Sequence, residues 1–194
     1  MEDKKIIEVR WHGRGGQGVV VASKILAYAA ILDGFKGVQS IPFFGMERRG
    51  APVLSFTRIS QHEIRIRHQI YEPDVVIVLD SSLSNMPNII EGLKPEGYVI
   101  LNTKRKPSEI LWARKHKVAT INAFNVSRML NLKVAGFFVV NTPMLGAFAK
   151  TTNFVSINSM KRAIIDYFGV KLGEINAKAA EIAYKETLVG EEIK

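Results

Sequence analysis

The chain has 194 residues, 47% of them hydrophobic, and a formal net charge of +9 at pH 7. This length and composition are typical of one compact domain with a buried core, so we expect residues 1–194 to form a single domain without long disordered stretches. The chain contains no cysteine, which excludes disulfides, thiolate nucleophiles, cysteine-ligated zinc and iron–sulfur clusters held by this chain itself.

The positive charge indicates that part of the surface attracts anions. A lysine-rich solvated surface, a nucleic acid, an acidic protein partner and a phosphorylated cofactor all fit that charge. Nucleic acid is disfavoured because the basic residues are dispersed and are not interleaved with aromatic residues in a known binding module. The N-terminus lacks secretory features, and Asn141 and Pro143 interrupt the most apolar stretch, so we expect a cytoplasmic protein without a membrane span.

The first predicted elements are a strand, a loop and a helix. Residues 6–13 have the apolar and β-branched content of a strand, and they run directly into a glycine-rich loop. Apolar residues recur at helical spacing over residues 19–32, and Gly34 follows as a helix stop. A second strand is predicted over residues 36–41.

The next segment predicts a loop and a hairpin. Residues 42–52 are bounded by prolines and broken by two glycines, which is typical of a loop. Residues 53–60 and 62–70 alternate apolar and polar side chains on either side of a short polar turn. This alternation predicts that the two segments form an antiparallel hairpin.

The remainder of the chain alternates between strands and helices. Strands are predicted over residues 74–80, 97–102 and 117–122, helices over residues 85–94 and 107–116, and further helices from residue 156 onward. Strands that alternate with helices predict a mostly parallel sheet. We therefore expect an α/β fold, Rossmann-like and three-layered, with a mostly parallel sheet, one antiparallel hairpin and C-terminal helices.

The glycine loop after the first strand carries the main binding signal. Gly13, Gly15 and Gly18 have the G-x-G-x-x-G spacing between a strand and a helix, where backbone N–H groups and the helix dipole can hold a phosphate. Three interpretations stay open: a phosphate-bearing ligand, a nicotinamide or flavin dinucleotide, or close packing of helix on sheet. A dinucleotide also requires an acidic residue at the end of the second strand, but Asp33 precedes that strand and Glu47 follows it.

A second signal is the pair of adjacent arginines, Arg48 and Arg49, in the loop that follows. Adjacent guanidinium groups can bind phosphate or carboxylate in a planar arrangement. Taken alone, the pair is typical of a surface turn with an ion pair to Glu47. Together with Arg14 and the glycine loop, it could form one anion pocket, because loops at the carboxyl ends of the strands share one edge of the sheet.

The sequence offers no catalytic or metal-binding motif. The four histidines lack metal-ligand spacing, and no nucleophile motif is present. Asp80, Ser81 and Ser82 follow a strand, where an active-site loop could lie, but helix capping explains these residues at lower cost. We therefore expect no catalytic residue and no metal ligand in this chain.

Five segments together resemble a known family. They read RWHGRGGQGVVVASKILAYAA, IPFFGMERRGAPVLSFTRI, YEPDVVIVLD, NTPMLGAFAK and LGEINAKAAEIAYKE. Their order and spacing are similar to those of the gamma subunit of four-subunit 2-oxoacid:ferredoxin oxidoreductases, particularly the pyruvate and 2-oxoisovalerate type. The resemblance spans nearly the whole chain.

This resemblance implies a complex that oxidatively decarboxylates pyruvate or a related 2-oxoacid, forms an acyl-CoA and reduces ferredoxin. Alpha, beta and delta subunits would hold thiamine diphosphate, magnesium and 4Fe–4S clusters, and the isolated chain would be inactive. The gamma chain would contribute to coenzyme A binding. The residues implied in that binding are Arg14, Gly15, Gly16, Gln17, Gly18, Arg48 and Arg49. The alternative is a free-standing Rossmann oxidoreductase that binds NAD or a flavin.

Overall fold

A computed structural model describes residues 6–43, 50–83 and 87–190 of the chain. The strands are β1 (Ile6–Arg14), β2 (Gly37–Phe43), β3 (Pro52–Ser60), β4 (Val75–Val78), β5 (Tyr98–Asn102), β6 (Lys117–Ile121), β7 (Lys133–Val134), β8 (Phe137–Phe138) and β9 (Leu188–Val189). The helices are α1 (Val19–Leu32), α2 (Ala123–Met129), α3 (Asn141–Thr152), α4 (Ile157–Phe168) and α5 (Val170–Glu186).

Seven strands form one sheet in the order β2-β3-β1-β4-β5-β6-β9, and β7 and β8 form a separate small hairpin. Neighbours from β1 to β6 pair in parallel through β4 and β5. β3 pairs antiparallel with both β1 and β2, and β9 pairs antiparallel with β6. The predicted α/β fold with a mostly parallel sheet is confirmed.

The sheet is covered on both faces, which gives the three predicted layers. Helices α1, α3, α4 and α5 pack on one face, where Trp11, Ile25 and Phe148 are fully buried. On the other face, alternate residues of β4 and β5 such as Val76 and Leu101 pack against short 3₁₀ segments. Side chains of β4 therefore contact a core on each side, as the continuous apolar run predicts.

The segments that cover the second face of the sheet show that two helix predictions were wrong. Residues 85–94 and 107–116 were expected to be α-helices, but the described parts contain only the 3₁₀ turns Pro87–Ile90, Pro107–Glu109 and Leu111–Ala113. The chain reverses at Gly92, whose φ of 74° is left-handed. Ile110, with φ −96° and ψ 67°, leaves the helical region between the last two turns. These backbone breaks limit each segment to about one turn.

An antiparallel hairpin is present, but its two strands are not the predicted pair. Both edges of β3 are occupied, since it lies between β2 and β1, so residues 62–70 have no edge to pair with and are not a strand. The carbonyl groups of Ile64 and Ile66 instead accept hydrogen bonds from the Gln39 amide. The prediction for residues 62–70 was wrong, and the antiparallel hairpin is formed by β2 and β3.

Local signals located α1 correctly. Helix α1 occupies the predicted residues, and it ends at Gly34, whose left-handed φ of 88° accompanies a hydrogen bond of 3.0 Å from the Phe35 N–H to the Ala30 carbonyl. This is the usual glycine termination of a helix. The helical tail is confirmed as α4 and α5 up to Glu186, but the following residues form β9, a strand that was not predicted.

In the described part of the chain, no helix combines the length and the apolar character needed to cross a membrane.

Helices α3 and α5 approach each other closely at Gly146. A Cβ atom added to Gly146 would lie 2.0 Å from the Ala180 carbonyl oxygen. Real Cβ atoms do not approach an oxygen so closely, so a side chain at this position would force the two helices apart.

We therefore expect Gly146→Ala to lower the free energy of unfolding by about 1–3 kcal/mol, because overpacking outweighs the better helix propensity of alanine. Urea unfolding followed by circular dichroism measures this change. Lys178→Ala, an exposed substitution on α5, is the control and should change stability by less than about 0.5 kcal/mol. An unchanged or raised stability of Gly146→Ala would contradict the close packing.

Candidate functional site

The candidate site lies where the chain diverges at the carboxyl ends of β1 and β4. These two strands pair in parallel, and the Leu79 N–H donates to the His12 carbonyl beyond the last paired residues. From β1 the chain passes through α1 to β2 on one side of the sheet, whereas β4 and β5 lie on the other side. A crevice opens at such a switch point in α/β sheets, and ligands bind there.

The glycine loop, residues 14–18, has a defined backbone at this point. Gly16 and Gly18 have φ values of 94° and 82°, which favour glycine. The Gly15 N–H donates to the Ala51 carbonyl at 2.9 Å, and the Gly50 N–H donates to the Gly15 carbonyl at 3.3 Å. The loop is therefore fixed against the start of β3.

The loop and the start of α1 present unused backbone donors. Within the described residues, the N–H groups of Gly16, Gly18, Val19 and Val20 have no hydrogen-bond partner. The first turn of α1 contains no acidic residue, so no carboxylate of that turn competes for these donors. The N-terminus of a helix with free N–H groups and a favourable dipole is suited to an anion.

Two of the glycines also have a packing role. A Cβ atom on Gly13 would lie 2.5 Å from Cγ2 of Val19, and one on Gly18 would lie 2.6 Å from Nδ2 of Asn141. The packing interpretation of the glycines therefore holds at both positions. It is compatible with anion binding, because close packing at Gly18 is also what brings Asn141 to the loop.

The Arg14 side chain connects the glycine loop to the segment at Gly50 and to the loop at residues 80–82. Its Nε lies 3.5 Å from Oδ2 of Asp80, its Nη1 donates to the Gly50 carbonyl at 3.0 Å, and its Nη2 donates to Oγ of Ser82 at 3.0 Å. Each of its three nitrogens thus has a protein partner, although each Nη keeps a second N–H. The side chain mainly holds the site together, and Asp80 offsets part of its charge.

Gln17 completes this network. Its Nε2 donates to Oδ2 of Asp80 at 2.6 Å, and its Oε1 accepts from the Arg14 N–H at 2.8 Å. Asp80 also accepts from the N–H and the hydroxyl of Ser82. Burial opposes ionisation of Asp80, but these hydrogen bonds and the Arg14 charge outweigh it and hold the pKa of Asp80 below its usual value.

His12 lies beside the site but is occupied by a structural contact. Its Nε2 accepts from Nε of Arg10 at 3.1 Å, and Arg10 also donates to the carbonyl groups of Ile89 and Glu91. Burial and, secondly, the Arg10 charge lower the pKa of His12 to about 3. The imidazole is therefore neutral at pH 7.

Two concave regions flank the glycine loop. The first, here called the apolar groove, has a volume of about 630 Å³ and is lined by the loop, the start of α1, β7 and the first half of α5. The second, here called the edge pocket, has a volume of about 620 Å³ and lies over the ends of β4, β5 and β6. Both volumes are in the range of small-molecule sites.

The lining of the two regions differs in chemistry. The apolar groove is walled by Val19, Val20, Val21, Val53, Leu132, Val134, Val139, Phe168, Leu172 and Ile175, with Arg14, Gly15, Gly16, Gly18, Asn131, Lys133, Asn141 and Asn176 as its other members. The edge pocket is lined by Gln17, Leu79, Asp80, Ser81, Asn102, Thr103, Lys104, Asn122, Phe124, Phe137, Phe138 and Val140. The glycine loop borders both.

Of the residues implicated by the sequence, Arg14, Gly15, Gly16, Gln17 and Gly18 lie together at this edge. Arg48 and Arg49 lie outside the described residues. Sequence reasoning missed Asn141, which contacts Gly18 across 123 positions of the chain. Its only signal is an asparagine shortly before a proline at the start of a helix, and that signal does not reveal the contact.

Comparison with known proteins places these features in one family. The family model described as pyruvate ferredoxin/flavodoxin oxidoreductase matches residues 8–186. The chain is 53% identical over 183 residues to the pyruvate synthase subunit PorC of Methanocaldococcus jannaschii, covering 94% of this chain and 98% of that protein. It is 52% identical over 189 residues to the common gamma subunit of the pyruvate/ketoisovalerate oxidoreductases of Pyrococcus furiosus, covering 96% and 100%.

A solved structure has the same fold. The crystal structure of the pyruvate oxidoreductase subunit PORC from Thermotoga maritima matches with a TM-score of 0.82 and 33% identity, covering 97% of this chain and all of that one.

The hydrogen-bond network around Asp80 makes the free energy of unfolding depend on pH in the acidic range. Because the pKa of Asp80 is lower in the folded chain, its contribution is present above the usual aspartate pKa of about 3.9 and is lost as the pH falls further. We expect the difference in unfolding free energy between the natural chain and Asp80→Asn to be constant between about pH 5 and 7 and to shrink below about pH 4. Urea unfolding across this range measures it.

The control is Glu63→Gln, which removes an exposed carboxylate outside the network and should leave stability almost unchanged at every pH. A difference for Asp80→Asn that stays constant or grows below about pH 4 would contradict the lowered pKa.

Proposed function

This chain belongs to the pyruvate ferredoxin/flavodoxin oxidoreductase family, as a gamma subunit of a pyruvate or 2-oxoacid:ferredoxin oxidoreductase, and we propose that its part in that enzyme is to bind coenzyme A. The free-standing NAD- or flavin-dependent oxidoreductase is not supported, because the relatives are named as subunits. The enzyme oxidatively decarboxylates its 2-oxoacid, forms the acyl-CoA and reduces ferredoxin.

One observation carries the proposal: among the described residues, the backbone N–H groups of Gly16, Gly18, Val19 and Val20 have no partner and lie at the carboxyl edge of the sheet. Coenzyme A brings a pyrophosphate, whose oxygens accept hydrogen bonds from such donors. Unlike a dinucleotide fold, this site does not need an acidic ribose ligand after the second strand. The positive charge of the chain favours an anionic ligand in addition.

The chemistry at the keto carbon would belong to other subunits. We place thiamine diphosphate with its magnesium, and the 4Fe–4S clusters, in alpha, beta and delta subunits, since this chain has no cysteine to ligate iron. Ferredoxin would then accept electrons from those subunits and not from this chain. A single domain over residues 1–194 and a cytoplasmic location remain part of the proposal.

In this proposal, the gamma chain contributes to the reaction by positioning coenzyme A. Backbone donors fixed by the fold hold the pyrophosphate without losing side-chain freedom on binding. The coenzyme A thiol is then presented to the acyl group at a defined distance from the anchor. Holding one reactant in place in this way accounts for a large part of many rate enhancements.

We expect the double substitution Arg48→Ala, Arg49→Ala to weaken coenzyme A binding to the assembled enzyme. Loss of charged phosphate contacts costs about 1.5–3 kcal/mol, or roughly tenfold or more in Kd. Isothermal titration of the assembled enzyme with coenzyme A measures the change. In the sequence, the two arginines directly precede Gly50, whose N–H donates to the Gly15 carbonyl in the glycine loop.

The matched control is the double substitution Arg65→Ala, Arg67→Ala. Both of these arginines are exposed and lie in the segment 62–70, outside both concave regions. This control removes the same net charge and should leave the affinity within about twofold. Equal affinities for the Arg48/Arg49 variant and the natural chain would show that the assignment of the arginines is wrong.

A further inference from the structure

A dense run of positive charge lies on the second face of the sheet, outside both concave regions. Residues 105–117, here called the basic strip, contain five lysines or arginines and one acidic residue in 13 positions. We propose that the basic strip docks an acidic protein surface of another subunit of the oxidoreductase. This inference goes beyond the proposed function, because it rests on membership of a family of subunits and on this surface, and not on coenzyme A.

The basic strip crosses the second face from one end of the strands to the other. β5 and β6 pair in parallel, so the chain that leaves β5 must return along the sheet to the start of β6. Ile110 and Ala113 are buried in the core of this face. Leu111 is 68% exposed, and Arg114 is exposed as well. The strip therefore has an inner row that packs on the sheet and an outer row that is open to a partner.

Most of the positive charge of the strip is not neutralised within the described part of the chain. Arg114 and Lys115 are exposed and form no ion pair with a described carboxylate. The Glu109 carboxylate, the only acidic group of the strip, accepts a backbone N–H. At the border of the strip, Lys117 lies 3.8 Å from Glu96. The strip thus presents uncompensated cations, which attract a surface rich in carboxylates.

Apolar side chains accompany these cations. In the sequence, Leu111 lies between one basic pair at residues 105–106 and another at residues 114–115. Leu188 of β9 is 50% exposed and pairs with Thr120. Thr120 lies two residues from Val118, which packs in the core of the second face, so Leu188 is on this face too. Exposed leucines with charged residues around them are typical of a surface that a protein covers.

The aromatic residue of the strip argues against nucleic acid as the occupant. Single-stranded nucleic acid binds where aromatic rings are open for bases to stack on them. Trp112 is the only phenylalanine, tyrosine or tryptophan of residues 105–117, and it packs against the core of the second face. The outer row therefore offers cations and a leucine without a stacking surface, which fits an acidic protein better.

Two buried side-chain atoms of the strip have no hydrogen-bond partner among the described residues, namely Nε1 of Trp112 and Nδ1 of His116. A buried polar atom without a partner is costly. The backbone here is held by short turns, in which the His116 N–H donates to the Ala113 carbonyl at 2.9 Å. A small shift of these turns against a partner that supplies an acceptor would remove this cost, so docking would stabilise the strip.

A permanent subunit fits this surface better than a transient partner. Interfaces that stay assembled bury more apolar surface than transient ones, and the strip combines exposed leucines with buried atoms that lack partners. The relatives of this chain are named as subunits, so part of its surface is covered in the enzyme. The occupant is therefore a neighbouring subunit with carboxylates around an apolar centre.

The test measures the Kd with which this chain dissociates from the co-expressed enzyme, by analytical ultracentrifugation over a dilution series. The double substitution Arg114→Glu, Lys115→Glu reverses two charges of the strip and should raise this Kd about tenfold or more. Leu111→Asp should raise it by a similar factor, because it places a carboxylate in the apolar centre. Thermal unfolding of each variant chain checks that the fold is retained.

The matched control is the double substitution Arg65→Glu, Arg67→Glu. It reverses the same number of charges on exposed residues outside the strip and should leave the Kd within about twofold. Raising the salt concentration from about 0.05 M to about 0.5 M should weaken assembly of the natural enzyme, since salt screens attraction between charges. The Arg114/Lys115 variant should lose most of this salt dependence, which a defect in folding alone would not remove.

Three results would overturn the proposal. An unchanged Kd in both strip variants, or assembly of the natural enzyme that salt does not weaken, would show that no acidic subunit covers the strip. Unchanged assembly with a raised KM for ferredoxin would assign the strip to the electron acceptor. Binding of an RNA or DNA oligonucleotide by the natural chain, lost in the Arg114/Lys115 variant while assembly is unchanged, would assign it to nucleic acid. The coenzyme A affinity of the Arg48/Arg49 variant tests the proposed function separately, so either proposal can fail without the other.

Discussion

The parallel pairing of β1 with β4 is the constraint on which the site depends. It sets Val9 against Val75 and His12 against Val78, so the two strands end side by side at the same edge. From there one strand enters the glycine loop and α1, and the other continues to Asp80. Because the next connections lead to opposite sides of the sheet, the loops separate and leave a crevice between them.

The charge distribution within the crevice explains why backbone donors matter more than the nearest arginine. Arg14 bonds to Gly50, Ser82 and Asp80, so it mainly fixes the relative positions of three loops. In the proposed site, the glycine loop would therefore hold an anion chiefly through its backbone N–H groups. Additional positive charge comes from Lys104 at the edge pocket, and the Arg48/Arg49 pair is proposed to add to it.

The sequence predicted the parts of the structure that depend on local patterns. Helical spacing from Val19 to Leu32 and the stop at Gly34 gave the bounds of α1, and the apolar run from residue 74 gave β4. The segments quoted for the family are confirmed by the match over residues 8–186. Short-range periodicity and glycine positions carry this information, since both act within a few residues.

Parts that depend on distant residues were not predicted. Alternation alone suggested a strand over residues 62–70, but β1 and β2 had already occupied both edges of β3. The network of Arg14 with Asp80 and the contact of Asn141 with Gly18 join residues far apart in the chain. No local pattern encodes such contacts, so the sequence indicated an anion site without showing which side chains fix it.

A structure of the assembled oxidoreductase with coenzyme A bound tests coenzyme A binding by this chain most directly. We expect pyrophosphate oxygens about 3 Å from the N–H groups of Gly16, Gly18, Val19 and Val20, at ordinary hydrogen-bond distance. Coenzyme A held entirely by other subunits, with no atom near the glycine loop of this chain, would contradict it.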